Sequence, residues 1–413
     1  MSKRAVVITG MGVLSPIGQD VAEVAASLRS GRSGIGAITV DPLAKAVPAG
    51  VVPANLEEAF TRLERPFMDR VQHFAVLAAQ QAIRDAGITD FAAYGQRAGV
   101  YYGNVNGGAA SVQDWARGLL AEGKQSSRPF TAMAIMCNGG AAQISIRNQI
   151  LGPVLTHGSA CGSSAVAIGE AARAIADGYL DVAVAGGSEA PLSAIVVGVF
   201  SGTRAMAQPD PDDPSRSCRP FARDRSGLVL GEGGAFLILE SEDHARARNA
   251  TIHGYLRGYG VSSDASHIGM PATPGQVRAL QAALDHAGLA PGEVQYINAH
   301  ATATDGGDVI EAESIRAVFG EGPGAAKVSS TKAVHGHLLG AASALELVVT
   351  VLAMRESVLP ASAHMGEMDP RCSLNHVGPS PVAGVRIDNA LSFSCGFGGT
   401  NAALIVSRHR KPD

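Results

Sequence analysis

The 413-residue sequence is short of charge and of aromatics: 17% of its residues are charged, 5% are aromatic, and the net charge is −4. Such a balance leaves no electrostatic footprint for nucleic acid, and there is no polybasic run or acidic tail. Cysteine is sparse as well. Its five positions (Cys137, Cys161, Cys218, Cys372 and Cys395) show no CxxC spacing for zinc and no dense disulfide framework, so reduced thiols are expected. Long apolar runs are missing too. The best candidate, Leu338 to Met354, falls short of the ~20 residues a membrane span needs and carries Glu346, which makes it a buried core helix. The opening "MSKRAVVITG" has basic residues but no signal-peptide pattern. The expectation is a cytoplasmic protein without nucleic-acid or membrane partners.

What the chain does have is glycine, 50 residues of it, within a 46% hydrophobic composition. That combination describes tight turns and helices packed closely on strands around a large core. "RAVVITG", "AGVYYG", "LDVAVAGG", "GGAFLILE" and "VQYINAH" read as short buried strands. Phe74, Ala78, Ala79 and Ala82 share one face of a helix that stops at Gly87. The class is α/β with buried sheets.

One phrase occurs twice. "QAIRDAGI" precedes the strand "AGVYYG", and "AALDHAGL" precedes "VQYINAH", with Ala82 and Ala283 in the same place. A duplicated half-domain is the economical reading. The first copy leads on to Cys161 and the second to "TKAVHGHLLGAASALE", so two similar halves would bring their loops together at one end.

"THGSACGSSA" is the chemically informative stretch. It reads as strand, sharp turn and helix, with Ala165, Ile168, Ala172 and Ile175 on one face and Gly178 as the stop. Cys161 falls at the bend, where a helix N-terminus favours thiolate over thiol and offers N–H groups to an oxyanion. This is a nucleophile elbow with sulfur in place of a serine oxygen. His300, at the end of the strand "VQYIN", and His337, at the entry to an apolar helix, are the candidate partners. His244, His253, His286 and His409 sit among charged residues and read as solvated. His335 and His337 form an HxH pair, but no acidic or cysteine ligand accompanies it at a recognised spacing, so no metal is expected. Glu346 is costly to bury unless paired, and Lys332 is its expected partner. "GMGVLSPIG" misses the dinucleotide fingerprint, because Ser15 and Pro16 replace the third glycine and its neighbour.

Four ordered motifs, "SACGSS", "NAHATATDGGD", "SSTKAVHGHLLGAASALE" and "GFGGTNAAL", resemble the condensing enzymes of fatty-acid and polyketide synthesis, most of all the β-ketoacyl-ACP synthase II group. "RPFARDRSGLVLGEGGAFLILE" and "GYGVSSDASH" extend the resemblance over nearly the whole chain. It implies a thiolase fold: duplicated βαβαβαβ-type halves in a five-layer αβαβα arrangement, here residues 1–250 with the nucleophile and 251–413 with the histidines and the glycine-rich loop. It also implies that Cys161 takes an acyl chain as a thioester, and that His300 and His337 bind a malonyl thioester carbonyl and assist loss of CO₂. The oxyanion hole would be the N–H groups of Cys161 and Phe397. Lys332, Glu346 and Asp308 would support the histidines, Thr302 and Thr304 would bind the phosphopantetheine arm, and Asn106, Phe200 and Phe397 would line or gate the acyl pocket. Arg204, with Arg65 and Arg128 behind it, would meet an acidic acyl carrier protein. No resident cofactor or metal is implied, the substrates riding on the carrier's phosphopantetheine. The assembly would be a homodimer or a heterodimer with a chain-length-factor-like subunit.

Departures from the housekeeping pattern point to a specialised acyl chain, of polyketide or polyene type. Gly162 stands where threonine is usual, Ala301 replaces a glycine, Asp305 a proline, and Asn106 an apolar side chain. Cys395 takes a place where phenylalanine is common, close to where thiolases carry a second catalytic cysteine. The alternatives are therefore a fatty-acid elongation synthase, a non-decarboxylating thiolase, and a non-catalytic chain-length subunit.

Overall fold

The computed structural model describes residues 3–127 and 129–409. Ten strands form one mixed sheet: β1 (Val6–Leu14), β2 (Ala98–Gly103), β3 (Val154–His157), β4 (Val182–Glu189), β5 (Gly233–Ser241), β6 (Gly254–Ser263), β7 (Tyr296–Asn298), β8 (Lys327–Ser329), β9 (Asn389–Cys395) and β10 (Thr400–Ser407). Their spatial order is β8-β7-β9-β10-β6-β1-β5-β4-β2-β3. Read outward from the middle, the two sides are the same path: β1-β5-β4-β2-β3 on one and β6-β10-β9-β7-β8 on the other. Only two residue pairs, Val7 with Tyr255 and Ile8 with Gly254, join them.

The duplicated phrase explains why each side folds this way. Helix α1 (Arg70–Ala86) lies on β1 and ends at Gly87, and α4 (Thr273–Ala287) lies on β6 and ends at Gly288, both glycines left-handed at φ 66° and 62°. The contact is too close for side chains on the strand. A Cβ on Gly10 would stand 2.2 Å from the Ala82 carbonyl oxygen, and one on Gly258 would stand 2.5 Å from that of Ala283. Helices α2 (Ser163–Ala176) and α6 (Ala342–Glu356) follow β3 and β8 and pack together within the largest core cluster, between the two sides of the sheet. The run from Leu338 thus resolves into a short 3₁₀ turn and a helix buried all round. Among the described residues, no helix is long and apolar enough to cross a membrane.

The halves differ in their connections. Residues 190–232 link β4 to β5 and carry helix α3 (Ala194–Gly202), whereas residues 396–399 suffice between β9 and β10. Helix α5 (Asp305–Phe319) follows β7.

Candidate active site

Cys161 sits just before α2, at a backbone bend that Ala160 makes in the left-handed region, at φ 47°. An alanine is strained there, and such strain is stored where a side chain must be aimed. The short loop after β9 closes over the bend. A Cβ on Gly396 would come within 2.8 Å of the Ser159 carbonyl, and this closeness lets the Phe397 N–H donate to the Cys161 sulfur. The Cys161 carbonyl in turn accepts from Ser343 Oγ at 3.0 Å, at the head of α6.

His337 Nε2 lies 3.0 Å from Cys161 Sγ, and the His300 ring stands edge-on to the His337 ring with centroids 5.3 Å apart. One ligating atom each from Cys161, His300 and His337 fall within 4.8 Å of one another. Lys332 Nζ is 3.4 Å from His300 Nδ1 and forms an ion pair with Glu346, both members fully buried. An ammonium has no lone pair, so it donates to Nδ1 and leaves the His300 proton on Nε2. His335 is occupied elsewhere, with Nδ1 on the Gly336 carbonyl at 2.6 Å and Nε2 on Thr331 Oγ1 at 3.0 Å. The HxH pair therefore does not converge.

Electrostatics correct one expectation. The Cys161 thiol is pushed up to about 11, because burial outweighs the pull of Lys332 and the Phe397 N–H. The helix N-terminus does not yield a resting thiolate, since desolvation of a buried anion costs more than a fractional terminal charge returns. Burial, then the Lys332 charge, hold His300 and His337 well below the usual histidine range. The resting triad is a neutral thiol between neutral imidazoles.

These groups open into a cavity of about 620 Å³ that Phe200, Thr302, Thr304 and Phe397 also line. Thr302 and Thr304 face each other with hydroxyls 3.3 Å apart, and Phe397 is half-exposed. Arg204 is exposed between Thr203 and Ala205, both at the cavity wall. Arg65 instead donates to the Glu57 and Phe60 carbonyls, and Arg128 lies outside the described residues. Asp308 is buried against the Phe221 N–H at 2.9 Å and Arg225 at 3.8 Å, so it serves that backbone and that arginine rather than the histidines. Cys395 lines the cavity as a neutral thiol, held well above the ordinary range first by burial and then by Glu311. His244 and His253 are not free surface groups, being paired with Glu240 and Asp85.

Asn106 does not line this cavity. Its backbone and side-chain N–H groups donate to Glu189 Oε1 at 3.1 and 3.3 Å, so the amide expected to lack a partner has a buried carboxylate. Two glutamates escaped the sequence reading. Glu189 collects the N–H groups of Val105, Asn106 and Gly340, and burial still raises it to about 7. Glu311 accepts from the His300 and Ala301 N–H groups, both at 2.6 Å, and is raised to about 8 by burial. It fixes the backbone that carries His300.

The family model for the β-ketoacyl synthase N-terminal domain matches residues 3–245, and that for the C-terminal domain matches residues 253–366. The chain belongs to the β-ketoacyl synthase family. It is 37% identical over 410 residues to 3-oxoacyl-(acyl-carrier-protein) synthase 2 of Staphylococcus aureus (strain COL), covering 98% of both chains. It is 40% identical over 403 residues to nodulation protein E of Rhizobium meliloti (strain 1021), covering 97% of this chain and 98% of that one. Among solved structures, the ishigamide ketosynthase/chain length factor superposes with a TM-score of 0.91 at 32% identity, over 99% of this chain and 100% of that one. This β-ketoacyl synthase is thus a condensing acyltransferase with the thiolase fold. Membership sets aside the thiolase alternative built on Cys395.

Proposed function

We propose that Cys161, His300 and His337 carry out decarboxylative condensation of a cysteine-bound acyl chain with a malonyl thioester delivered by an acyl carrier protein. The observation that carries this reading is the 3.0 Å approach of His337 Nε2 to Cys161 Sγ, with His300 beside it. In the first step Sγ attacks the acyl thioester while His337 donates its Nε2–H to the sulfur, the thiol proton leaves with the departing carrier thiol, and the acyl group stays on sulfur. The oxyanion meets the N–H groups of Cys161 and Phe397, donors of a kind worth about 2.7–4 kcal/mol each. The acyl chain extends among Val197, Met206, Leu228 and Phe200, the apolar surroundings of Cys161.

In the second step His300 and His337 donate Nε2–H to the malonyl carbonyl. The C2–carboxylate bond breaks, CO₂ leaves, and the electron pair remains on C2 as an enolate. C2 then attacks the acyl carbonyl, the C–S bond breaks, and Cys161 departs as a thiolate that regains a proton from solvent. Two neutral imidazoles suit this chemistry, because decarboxylation makes the carbanion without a strong base. Lys332, held by Glu346, keeps His300 in its donating tautomer. The reaction calls for no resident metal or cofactor and belongs in the cytoplasm.

We further assign it to a specialised chain rather than to housekeeping elongation. Support comes from Gly162, Ala301, Asp305 and Cys395, and from likeness to nodulation protein E and to a ketosynthase/chain length factor. A chain-length-factor-like partner fits the second likeness. The test is mass spectrometry of the purified protein with acyl carrier proteins, followed by release of label from carboxyl-labelled malonyl carrier protein. Acylation at Cys161 with CO₂ release is expected. Failure of either removes the condensing role, and a preference for saturated over polyenoyl primers removes the specialised one.

A further inference from the structure

One thiol and two imidazoles have a second chemistry open to them, because they are also ligands that zinc prefers. Cys161 Sγ and His337 Nε2 are 3.0 Å apart, and one ligating atom each from Cys161, His300 and His337 lie within 4.8 Å of one another. Ligands on a tetrahedral zinc stand about 3.3–3.7 Å apart at ordinary bond lengths, so adjustments of roughly an ångström convert one set of distances into the other. All three residues line the cavity, which leaves the fourth corner for a water. Three protein ligands with one open corner form a familiar zinc geometry.

What stands against a metal is the placement of hydrogens. A histidine ligates through a bare ring nitrogen and carries its proton on the other one, usually against an acceptor. His337 can meet that requirement, since its Nδ1 has no hydrogen-bond partner and nothing ties the proton to Nε2. His300 cannot. Its Nδ1 stands 3.4 Å from Lys332 Nζ, and an ammonium has only hydrogens to offer. A proton moved to Nδ1 would face those hydrogens, so Nε2 keeps its own and stays closed to metal. The buried ion pair with Glu346 ties the ammonium there. Lys332 thus does the opposite of the carboxylate or carbonyl that accepts from a zinc-bound histidine.

We propose that Cys161, His300 and His337 form a latent binding site for zinc or another thiophilic divalent cation, and that Lys332 is the residue that keeps it shut. Occupancy releases the thiol proton to solvent and transfers no electrons. It takes the thiol and both imidazoles out of use, so the metal is an inhibitor and not a resident cofactor. The inference concerns affinity for the metal alone and does not need the condensing role.

Zinc affinity, measured without substrate by competition with a chromophoric chelator, tests it, together with titration by Co²⁺, whose bond to a thiolate gives a charge-transfer band. Lys332→Gln replaces the donor with an amide whose oxygen accepts from Nδ1–H. This variant is expected to bind zinc about tenfold to hundredfold tighter than the wild type, the effect usual for a partner of a metal-bound histidine, and to show the thiolate band with Co²⁺. Both gains should vanish when Cys161→Ala or His300→Ala is added. Lys332→Met with Glu346→Leu removes the ammonium without leaving a lone buried carboxylate, and it carries the test if Lys332→Gln does not fold. Zinc bound no tighter than by the wild type would show that Lys332 guards nothing. A gain that survives Cys161→Ala would put the metal elsewhere, and either result overturns the site.

Discussion

The two halves meet at matching bends with opposite contents. Three residues before α2 stands Ala160 in the left-handed region at φ 47°, and three residues before α6 stands Leu339 at φ 44°. The next residue is Cys161 in one half and Gly340 in the other. Each bend faces a segment of the opposite half, a loop in one case and a strand end in the other: Cys161 receives the Phe397 N–H, while Gly340 donates its N–H to Glu189 at 3.2 Å. At Gly340 a Cβ would stand 2.8 Å from the Glu189 carboxylate. Duplication thus built two equivalent frames, and chemistry arose by breaking the equivalence. One bend carries the proposed nucleophile, the other is tied shut by a carboxylate, and the second half supplies the histidines beside the thiol.

Cys161→Ala gives the hardest break in that contrast. Acyl-enzyme formation should vanish in the mass spectrum and condensation fall to background, whereas malonyl decarboxylation persists because His300 and His337 remain. Acylation surviving in the variant would move the nucleophile elsewhere. The pH dependence of the same thiol comes next. With its pKa at about 11, the thiolate fraction rises tenfold per pH unit below that value. Alkylation of Cys161 by iodoacetamide should therefore accelerate about a thousandfold from pH 7 to pH 10, read at the Cys161 peptide. A rate already level above pH 8 would mean a stabilised thiolate, and would favour the helix terminus over burial.

The second half has its own weak point in Lys332 and Glu346. Removing one partner of a buried pair typically costs about 3–5 kcal/mol. Lys332→Met should lose stability of that order in denaturant melts. Without Lys332 the Glu346 pKa, already raised to about 7, goes higher, so the loss should deepen as pH rises and the carboxyl must ionise. Lys332→Met with Glu346→Leu should recover stability but not condensation. Recovered condensation would show that the pair is structural only.

A smaller effect tests whether the frames are equivalent. Gly10→Ala and Gly258→Ala each push a methyl into a helix carbonyl, at 2.2 and 2.5 Å, and overpacking of this kind costs about 1–3 kcal/mol. Similar losses are expected from both, while Gly36→Ala, with nothing within 4 Å, should stay within about 0.5 kcal/mol. Unequal losses at Gly10 and Gly258 would show that one half carries more of the stability.

Much of this frame was legible because it is local. The helix stops at Gly87 and Gly288, the bend at Cys161 and the need of Glu346 for a partner follow from spacing and burial cost. Glu311 and Glu189 were not legible. Glu311 sits in "DGGDVIEAESIRAVF", where it reads as one more charge on a solvated helix, and only the return of the β7 loop over α5 shows that it holds two backbone N–H groups. The Cys161 thiol failed for the same reason. Its helix terminus is visible in sequence, but the burial that outweighs it comes from Val197, Met206 and Leu228, on the distant connection between β4 and β5. Asn106 looked like an unpaired amide because its partner lies at the end of β4, 83 residues away.

The smallest expected effect lies outside both frames, where the long connection of the first half gives the cavity a charged rim that the four-residue connection of the second cannot. Arg204 is exposed on that connection between two cavity-lining residues. If it meets an acidic carrier protein during docking, Arg204→Ala should raise the apparent KM for carrier protein about threefold to tenfold and leave kcat unchanged, since an exposed charge steers encounter without touching the reacting atoms. Steering is screened over about 8 Å at physiological salt, so the gap between wild type and variant should close as salt is raised. Arg204 also holds a positive φ of 58°, which glycine adopts freely, so Arg204→Gly removes the charge while relieving the backbone. The two variants should then agree in KM and differ only in stability, with the glycine the firmer. A KM shift in Arg204→Ala that Arg204→Gly lacks, or that persists at high salt, would assign the effect to the bend in the chain rather than to its charge.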